Sequence, residues 1–209
     1  MRGLIYVPIV HTELDMGSLA GPVEQVYRTR YGAAKWEEHV RTIREMWRGI
    51  EERIGALKIG WARVKVYQDG LPVCGKEEQI VRDLAKCGSL NHQLVAQLMD
   101  RGARLVGTES PALLLREYQL VKSQLEAGTQ ESAAEAGRAK QTALTTLHER
   151  DRFIARRIEA TLADEETGIL FLGLAHEVHR YLCGNIRVQF LIHRLPFGKD
   201  LSLECHAWS

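Results

Sequence analysis

Ile169-Leu170-Phe171-Leu172-Gly173-Leu174-Ala175-His176 is the stretch that decides the fold. A short unbroken apolar run closed by glycine reads as a buried strand. The small residues after it suit a tight turn, with His176 at its mouth. Working outward, other runs end in the same way. Leu4-Ile5-Tyr6-Val7-Pro8-Ile9-Val10 ends at His11. Val64-Lys65-Val66-Tyr67-Gln68 ends at Asp69, and Arg104-Leu105-Val106-Gly107-Thr108 ends at Glu109. In a parallel sheet these four ends can share one edge, where open α/β sheets bind ligands.

Helical patterns separate the strands. From Ala33 to Ile54 the apolar positions Trp36, Val40, Ile43, Trp47, Ile50 and Ile54 recur in steps of four and three, forming one stripe. A helix is expected from Glu77 to Lys86. Another follows Ser89, a suitable N-cap, through Met99. Pro111 suits the first turn of a helix carrying Leu114, Tyr118, Val121 and Leu125. Residues 128–164 read as a long helical segment whose polar first part, Gly128 to Lys140, is expected to be partly mobile. The region around Gly17 to Gly21 reads as a polar loop, and Ile186 to Ile192 as a fifth strand. The expected fold is a single three-layer α/β domain over residues 1–209, with a mainly parallel sheet of about five strands flanked by helices.

Composition narrows the function classes. Charge is nearly balanced, 28 basic against 27 acidic residues, which gives no support for nucleic acid or an anionic membrane as partner. No apolar run approaches the ~20 residues of a spanning helix. The opening Met1-Arg2-Gly3 is followed by an apolar stretch too short for a secretory signal, so a cytoplasmic location is expected. Cys74, Cys87, Cys183 and Cys205 form no CxxC pair, which argues against a zinc knuckle and for free thiols. Gly-x-Gly-x-x-Gly, P-loop and Gly-x-Ser-x-Gly patterns are all lacking, which argues against dinucleotide, nucleoside triphosphate and serine-hydrolase chemistry.

His11 and His176 at strand ends could serve as metal ligands or general bases, with Glu109 supplying a carboxylate and Asp69 at the rim. Arg150 and Asp151 fall on a helical stripe with Leu147, Ile154 and Ile158. A charge placed there is costly unless paired. Arg150 therefore reads either as part of an internal ion pair or as a group reaching over the sheet edge to bind an anion or polarise a carbonyl. Glu13 and Asp15 read as a solvated loop after His11, although either could add a ligand. His92 reads as exposed, and Cys205-His206 as a tail that could bind adventitious metal.

In order along the chain, His11, Gly107-Thr108-Glu109, Arg150-Asp151 and Gly173-Leu174-Ala175-His176 resemble the TraB/Tiki, ChaN and erythromycin-esterase superfamily. That group has a histidine after its first strand, an acid after a middle strand, an Arg-Asn or Arg-Asp pair on a late helix and a Gly-x-x-His after the next strand. Pro8 stands where the family often has glycine. The resemblance implies metal-dependent peptidase, lactone-opening esterase or haem-linked activity.

The resulting expectation is a hydrolase of an ester, lactone or amide in a small molecule or peptide. Its catalytic residues are His11, Glu109, Arg150 and His176. A divalent metal would sit on His11, Glu109 and His176, with Asp69, Glu13 and Asp151 at the rim. The alternative is a non-catalytic protein binding haem or another small ligand in the same cleft. The stripe of Ala33 to Ile54, or the polar segment Gln124 to Gln141, is expected to form a homodimer contact.

Overall fold

A computed structural model of the chain describes residues 2–127 and 133–193. Five strands, β1 (Arg2–Ile9), β2 (Val64–Gln68), β3 (Arg104–Val106), β4 (Thr167–Gly173) and β5 (Ile186–Phe190), form one sheet in the order β3-β2-β4-β1-β5. Every pairing is parallel. The expected parallel α/β fold is therefore present.

β4 sits at the centre because its residues are apolar on both sides. Ile169 and Phe171 enter a core with Val7 and Ile9 of β1 and Val64 and Val66 of β2. Leu170 and Leu172 face the other way, into a core with Leu4, Tyr6 and Tyr67. A strand alternates faces, so only such a run can serve two cores.

The helices divide between these faces. α2 (Ala33–Gly55), α3 (Glu77–Lys86) and α4 (Leu90–Asp100) cover the first. α6 (Ala133–Thr161) covers the second through Ile154, Ala155 and Ile158. Ahead of α2, a 3-10 segment (Glu13–Leu19) runs into α1 (Ala20–Tyr31), and α5 (Pro111–Ala127) precedes α6.

Where a polar loop around Gly17 to Gly21 was expected, the 3-10 segment runs directly into α1. α1 buries only Val23, so its apolar pattern carries almost no helical signal. The apolar stripe of α2 buries Trp36, Ile43, Trp47, Ile50 and Ile54 within the chain's own core. Core packing thus accounts for a stripe that had suggested a seam between copies. The expected mobile region is helical from Ala133 onward. Residues 128–132, and Cys205 and His206, lie outside the described residues. Among the described residues, no helix is long and apolar enough to cross a membrane.

Topology chooses the location of the cleft. The chain leaves β1 and β2 towards the α2/α4 face. It leaves β4 towards the α6 face, where Val178 is buried. β4 lies between β2 and β1. Their departing loops diverge on either side of it and open a crevice at the carboxyl ends of these three strands.

Candidate functional site

His11, Asp69 and His176 stand at this crevice, one after each of three adjacent strands. In register, Ile9 lies beside Gly173 and Gln68 beside Phe171. Asp69 extends the β2–β4 ladder through its N–H, which donates to the Phe171 carbonyl at 2.9 Å. Glu109 arrives differently, because β3 is short. The loop after β2 turns at Gly70, whose φ of 72° lies in the left-handed region that favours glycine. It then pairs with the end of β3, Val73 N–H donating to Glu109 O at 2.9 Å and Glu109 N–H to Leu71 O at 3.0 Å. This clasp carries the Glu109 carboxylate back over Asp69.

Asp69 is the hub of the site, a correction to its expected place at the rim. It is 7% exposed. Its Oδ1 accepts from Arg150 Nη2 at 2.8 Å, and Oδ2 accepts from Gly173 N–H at 2.8 Å. The same Oδ2 lies 3.0 Å from His11 Nε2 and 3.8 Å from His176 Nε2. The two histidines thus flank one carboxylate oxygen at the same end of the sheet.

Arg150 reaches in from α6. Nε donates to Glu109 Oε2 at 3.0 Å, Nη2 to Glu109 Oε1 at 2.5 Å, and Nη1 to Glu117 Oε1 at 2.5 Å. All three of its nitrogens carry carboxylate partners, and the residue is 4% exposed. Of the two readings, the internal ion pair is the one realised. Arg150 balances charge inside the protein, leaving little of it for an incoming anion or carbonyl.

Asp151, the next residue on the helix, points to the other half of the site. It too is buried, not at the rim. Its Oδ1 lies 2.5 Å from His176 Nδ1, and its Oδ2 accepts from Glu177 N–H at 2.9 Å. The Tyr6 hydroxyl donates to the His176 carbonyl at 3.0 Å, fixing the turn from the opposite side. An ionised Asp151 can only accept, so His176 carries a proton on Nδ1. Its Nε2 is then directed at Asp69.

The electrostatics follow from burial and an unequal charge count. With Asp69, Glu109 and Asp151 ionised, three buried negative charges face one buried guanidinium, Arg150. Burial works to raise the Asp69 carboxyl, but the charges of His176 and His11, a hydrogen bond with His11 and the charge of Arg150 outweigh it and hold Asp69 well below the usual carboxylate range. Glu109 moves upward, because burial together with the Asp69 charge outweighs its pairing with Arg150. Burial tends to lower His176, yet Asp69 and Asp151 raise it above the ordinary imidazole value. The same opposition, led on the raising side by Asp69, raises His11. Its side chain is 36% exposed, so solvent moderates the effect there. The groups pushed towards protonation are those that can offset the missing positive charge.

Asp69, Glu109 and His176 each offer a donor atom, all within 4.8 Å of one another, and this buried trio could hold a metal ion. It differs from the expected set. His11 lies outside the trio, at the more exposed side, bonded to Asp69.

Sequence reasoning did not find three further features. Glu117, on α5, had no local signal. Gly173 is another. A Cβ built there would lie 3.0 Å from Asp69 Oδ2, 3.4 Å from His11 Nε2 and 3.7 Å from His176 Cδ2. The glycine therefore keeps open a notch among the three site residues. The third is a buried network around Asp15. Thr12 donates to Asp15 Oδ2 from its N–H at 2.8 Å and its hydroxyl at 2.9 Å. The Ser89 hydroxyl donates to Asp15 Oδ1 at 2.5 Å and lies 2.7 Å from His92 Nδ1. The solvated-loop and exposed-histidine readings of Asp15 and His92 are corrected accordingly. The spacing Thr12-x-x-Asp15, a relative of the capping box, was the available signal. The Glu13 side chain lies outside the described residues.

Asp15 provides a stability test. Burial tends to raise its carboxyl, but hydrogen bonds from His92, Ser89 and Thr12 outweigh this and lower it. A depressed carboxyl contributes stability above its unfolded-state value and loses it as pH falls through the folded-state value. Asp15→Asn is therefore expected to destabilise the protein at neutral pH, with the gap to wild type narrowing on acidification. Urea unfolding of both proteins across the acid range measures this. A gap independent of pH would rule out the ionised form as the source.

No family model, curated protein or solved structure matches this chain.

Proposed function

We propose that the protein is a hydrolase of ester, lactone or amide bonds, working at the β2–β4–β1 edge with a divalent cation on Asp69, Glu109 and His176. The observation that carries this reading is the pinning of His176. Asp151 holds Nδ1 at 2.5 Å, while Nε2 faces Asp69 Oδ2 across 3.8 Å. That gap is too long for a hydrogen bond. His176 and Asp69, together with Glu109, would hold such an ion through one imidazole nitrogen and two carboxylate oxygens, a donor set that divalent metals accept. Backing a histidine with a carboxylate is the common way to fix the tautomer of a metal ligand.

The charge count agrees, since the buried excess of two negative charges matches one divalent ion. Such an ion, when bound, supplies hydroxide near neutral pH by lowering the pKa of its water towards ~7. His11 is the more exposed of the two cleft histidines. With Nε2 against Asp69, its Nδ1 lies on the opposite side of the ring and serves as the acid–base group for substrate. Arg150 holds Asp69 and Glu109 in place and keeps their mutual repulsion in check. The resemblance of the four motifs to the TraB/Tiki, ChaN and erythromycin-esterase superfamily supports the location of the site, and metal-dependent peptidase and lactone-opening reactions are among those it implies, beside haem-linked ones. Haem is a poorer occupant, because His176 Nε2 faces a carboxylate and the side chain is 4% exposed.

A metal-free route, with His11 as the direct base, is favoured by one observation. Both Asp69 oxygens already have hydrogen-bonding neighbours, Arg150 on Oδ1 and Gly173 and His11 on Oδ2, so protons alone can complete the site.

Elemental analysis of the purified protein, with an ester and lactone panel run with and without chelator, tests these readings. Chelation is expected to abolish turnover. Chelator-resistant turnover lost in His11→Ala selects the metal-free route, and turnover unchanged in His176→Ala refutes the metal-dependent one. Asp151→Asn is expected to weaken binding of zinc or manganese by about 10–100-fold in a calorimetric titration. An unchanged affinity would remove His176 from the ligand set.

A further inference from the structure

The Asp15 network adjoins the cleft on the α4 side, and its hydrogen bonds have a direction. Ser89 is the N-cap of α4 and also accepts the His92 N–H on its Oγ at 3.3 Å. A hydroxyl has one proton to give. An ionised Asp15 is the stronger acceptor, so that proton goes to Oδ1 and His92 Nδ1–H donates to the Ser89 oxygen. The order is His92 to Ser89 to Asp15, with His92 Nδ1 also 3.4 Å from Asp15 Oδ1, and Asp15 in turn receives both donors of Thr12. The side chains of Asp15 and His92 are 3% and 8% exposed, and Ser89 is fully buried. A serine, a histidine and an aspartate invite a nucleophilic reading. Here, however, the serine lies between the other two, its proton goes to the acid, and solvent does not reach its oxygen. That geometry suits a structural link rather than attack on a substrate.

The link bears on His11. Residue 11 lies past the end of β1 and before the 3-10 segment, so no regular element holds it. It stands between two anchors. On one side the Trp47 indole N–H donates to the Val10 carbonyl at 3.1 Å. On the other, Thr12 is clamped twice by Asp15. The first anchor ties residue 10 to α2 and the second ties residue 12 to α4, leaving His11 as the one link of the strand-end turn that faces Asp69.

We infer that Asp15, Ser89 and His92 form a latch that positions the His11 ring for its contact with Asp69. Asp15 and Ser89 are positioning residues that act through Thr12. The latch matters for function only if His11 is the acid–base group of the cleft, as proposed above, but the position of His11 can be measured without turnover.

The test uses the full chain labelled with 15N at histidine, with the His11 signals assigned against His11→Gln. In alkaline solution the neutral ring of wild-type His11 is expected as one tautomer, with the proton on Nε2 and directed at Asp69. Ser89→Ala and Asp15→Asn are expected to lose this signature and show a mixture of both tautomers. Ser89→Thr keeps the hydroxyl and is expected to retain it. Thr12→Val removes a single hydroxyl and serves if either of the first two variants does not fold, with a partial mixture expected. A single Nε2–H tautomer persisting in Ser89→Ala or in Thr12→Val overturns the latch. A tautomer mixture in these variants, together with no turnover by the wild-type protein on the ester and lactone panel, upholds the latch and removes the hydrolase reading alone.

Discussion

Replacing Arg150 by methionine is expected to cost about 3–5 kcal/mol of folding stability, the usual cost of removing one partner from a buried ion pair. The reason is what remains. Asp69 and Glu109 are 7% and 0% exposed, and Arg150 is the cation that bonds both. Methionine is nearly as long and apolar, so the loss reflects charge more than packing. Arg150→Lys is expected to recover only part of it, since one ammonium cannot reproduce the guanidinium fork across two carboxylates. Adding Glu109→Gln to Arg150→Met removes one stranded charge and is expected to restore stability relative to the single variant. Urea unfolding of the three variants beside the wild type measures these differences. A loss under ~1 kcal/mol for Arg150→Met, the range of an exposed pair, would mean that the carboxylates find water or protons at little cost.

Gly173→Ala is expected to have the opposite profile, with little effect on stability and a large effect on the site. The backbone at Gly173 is outside the left-handed region, so alanine fits the main chain without strain. The added methyl would stand 3.0 Å from Asp69 Oδ2, closer than ordinary contact, so that this carboxylate must give by a few tenths of an ångström, and 3.4 Å from His11 Nε2, at the near limit of ordinary contact. Such a displacement at reacting groups can lower turnover by ~10²-fold. Stability is expected to change by under ~1 kcal/mol, because reduced freedom of the unfolded chain offsets part of the contact strain. Turnover on the hydrolase panel and the affinity for zinc, set beside urea unfolding, separate the two effects. Unaltered turnover and zinc affinity in a folded Gly173→Ala protein would show that the notch between Asp69, His11 and His176 is not where chemistry occurs.

Gly173→Ala concerns a position that could be read only as a turn, although the strand before it was plain. Ile169 to Leu172 specified a doubly buried strand by itself, because a pleated strand exposes alternate residues and only a sheet covered on both faces tolerates such a run. The stripe of α2 was legible for the same local reason. α1 was not, since a helix that buries Val23 alone leaves no periodicity to read.

The four strand-end residues could be gathered by assuming a parallel sheet, yet their ranking could not. The amino-acid order placed His11, Glu109, Arg150 and His176 in one cleft and put Asp69 and Asp151 at its margin. Tertiary structure made Asp69 the hub and set Asp151 behind His176. Strand order is the physical reason. With β4 between β2 and β1, the end of β2 lies against Gly173, and the Gly70 turn brings Glu109 back over Asp69. Period and run length act between neighbours along the chain, so they are written in the sequence. Which carboxylate shares a guanidinium, and which histidine loses its solvent, depends on segments 33 to 104 residues apart. Only the assembled sheet and the helix packed across it bring those groups together.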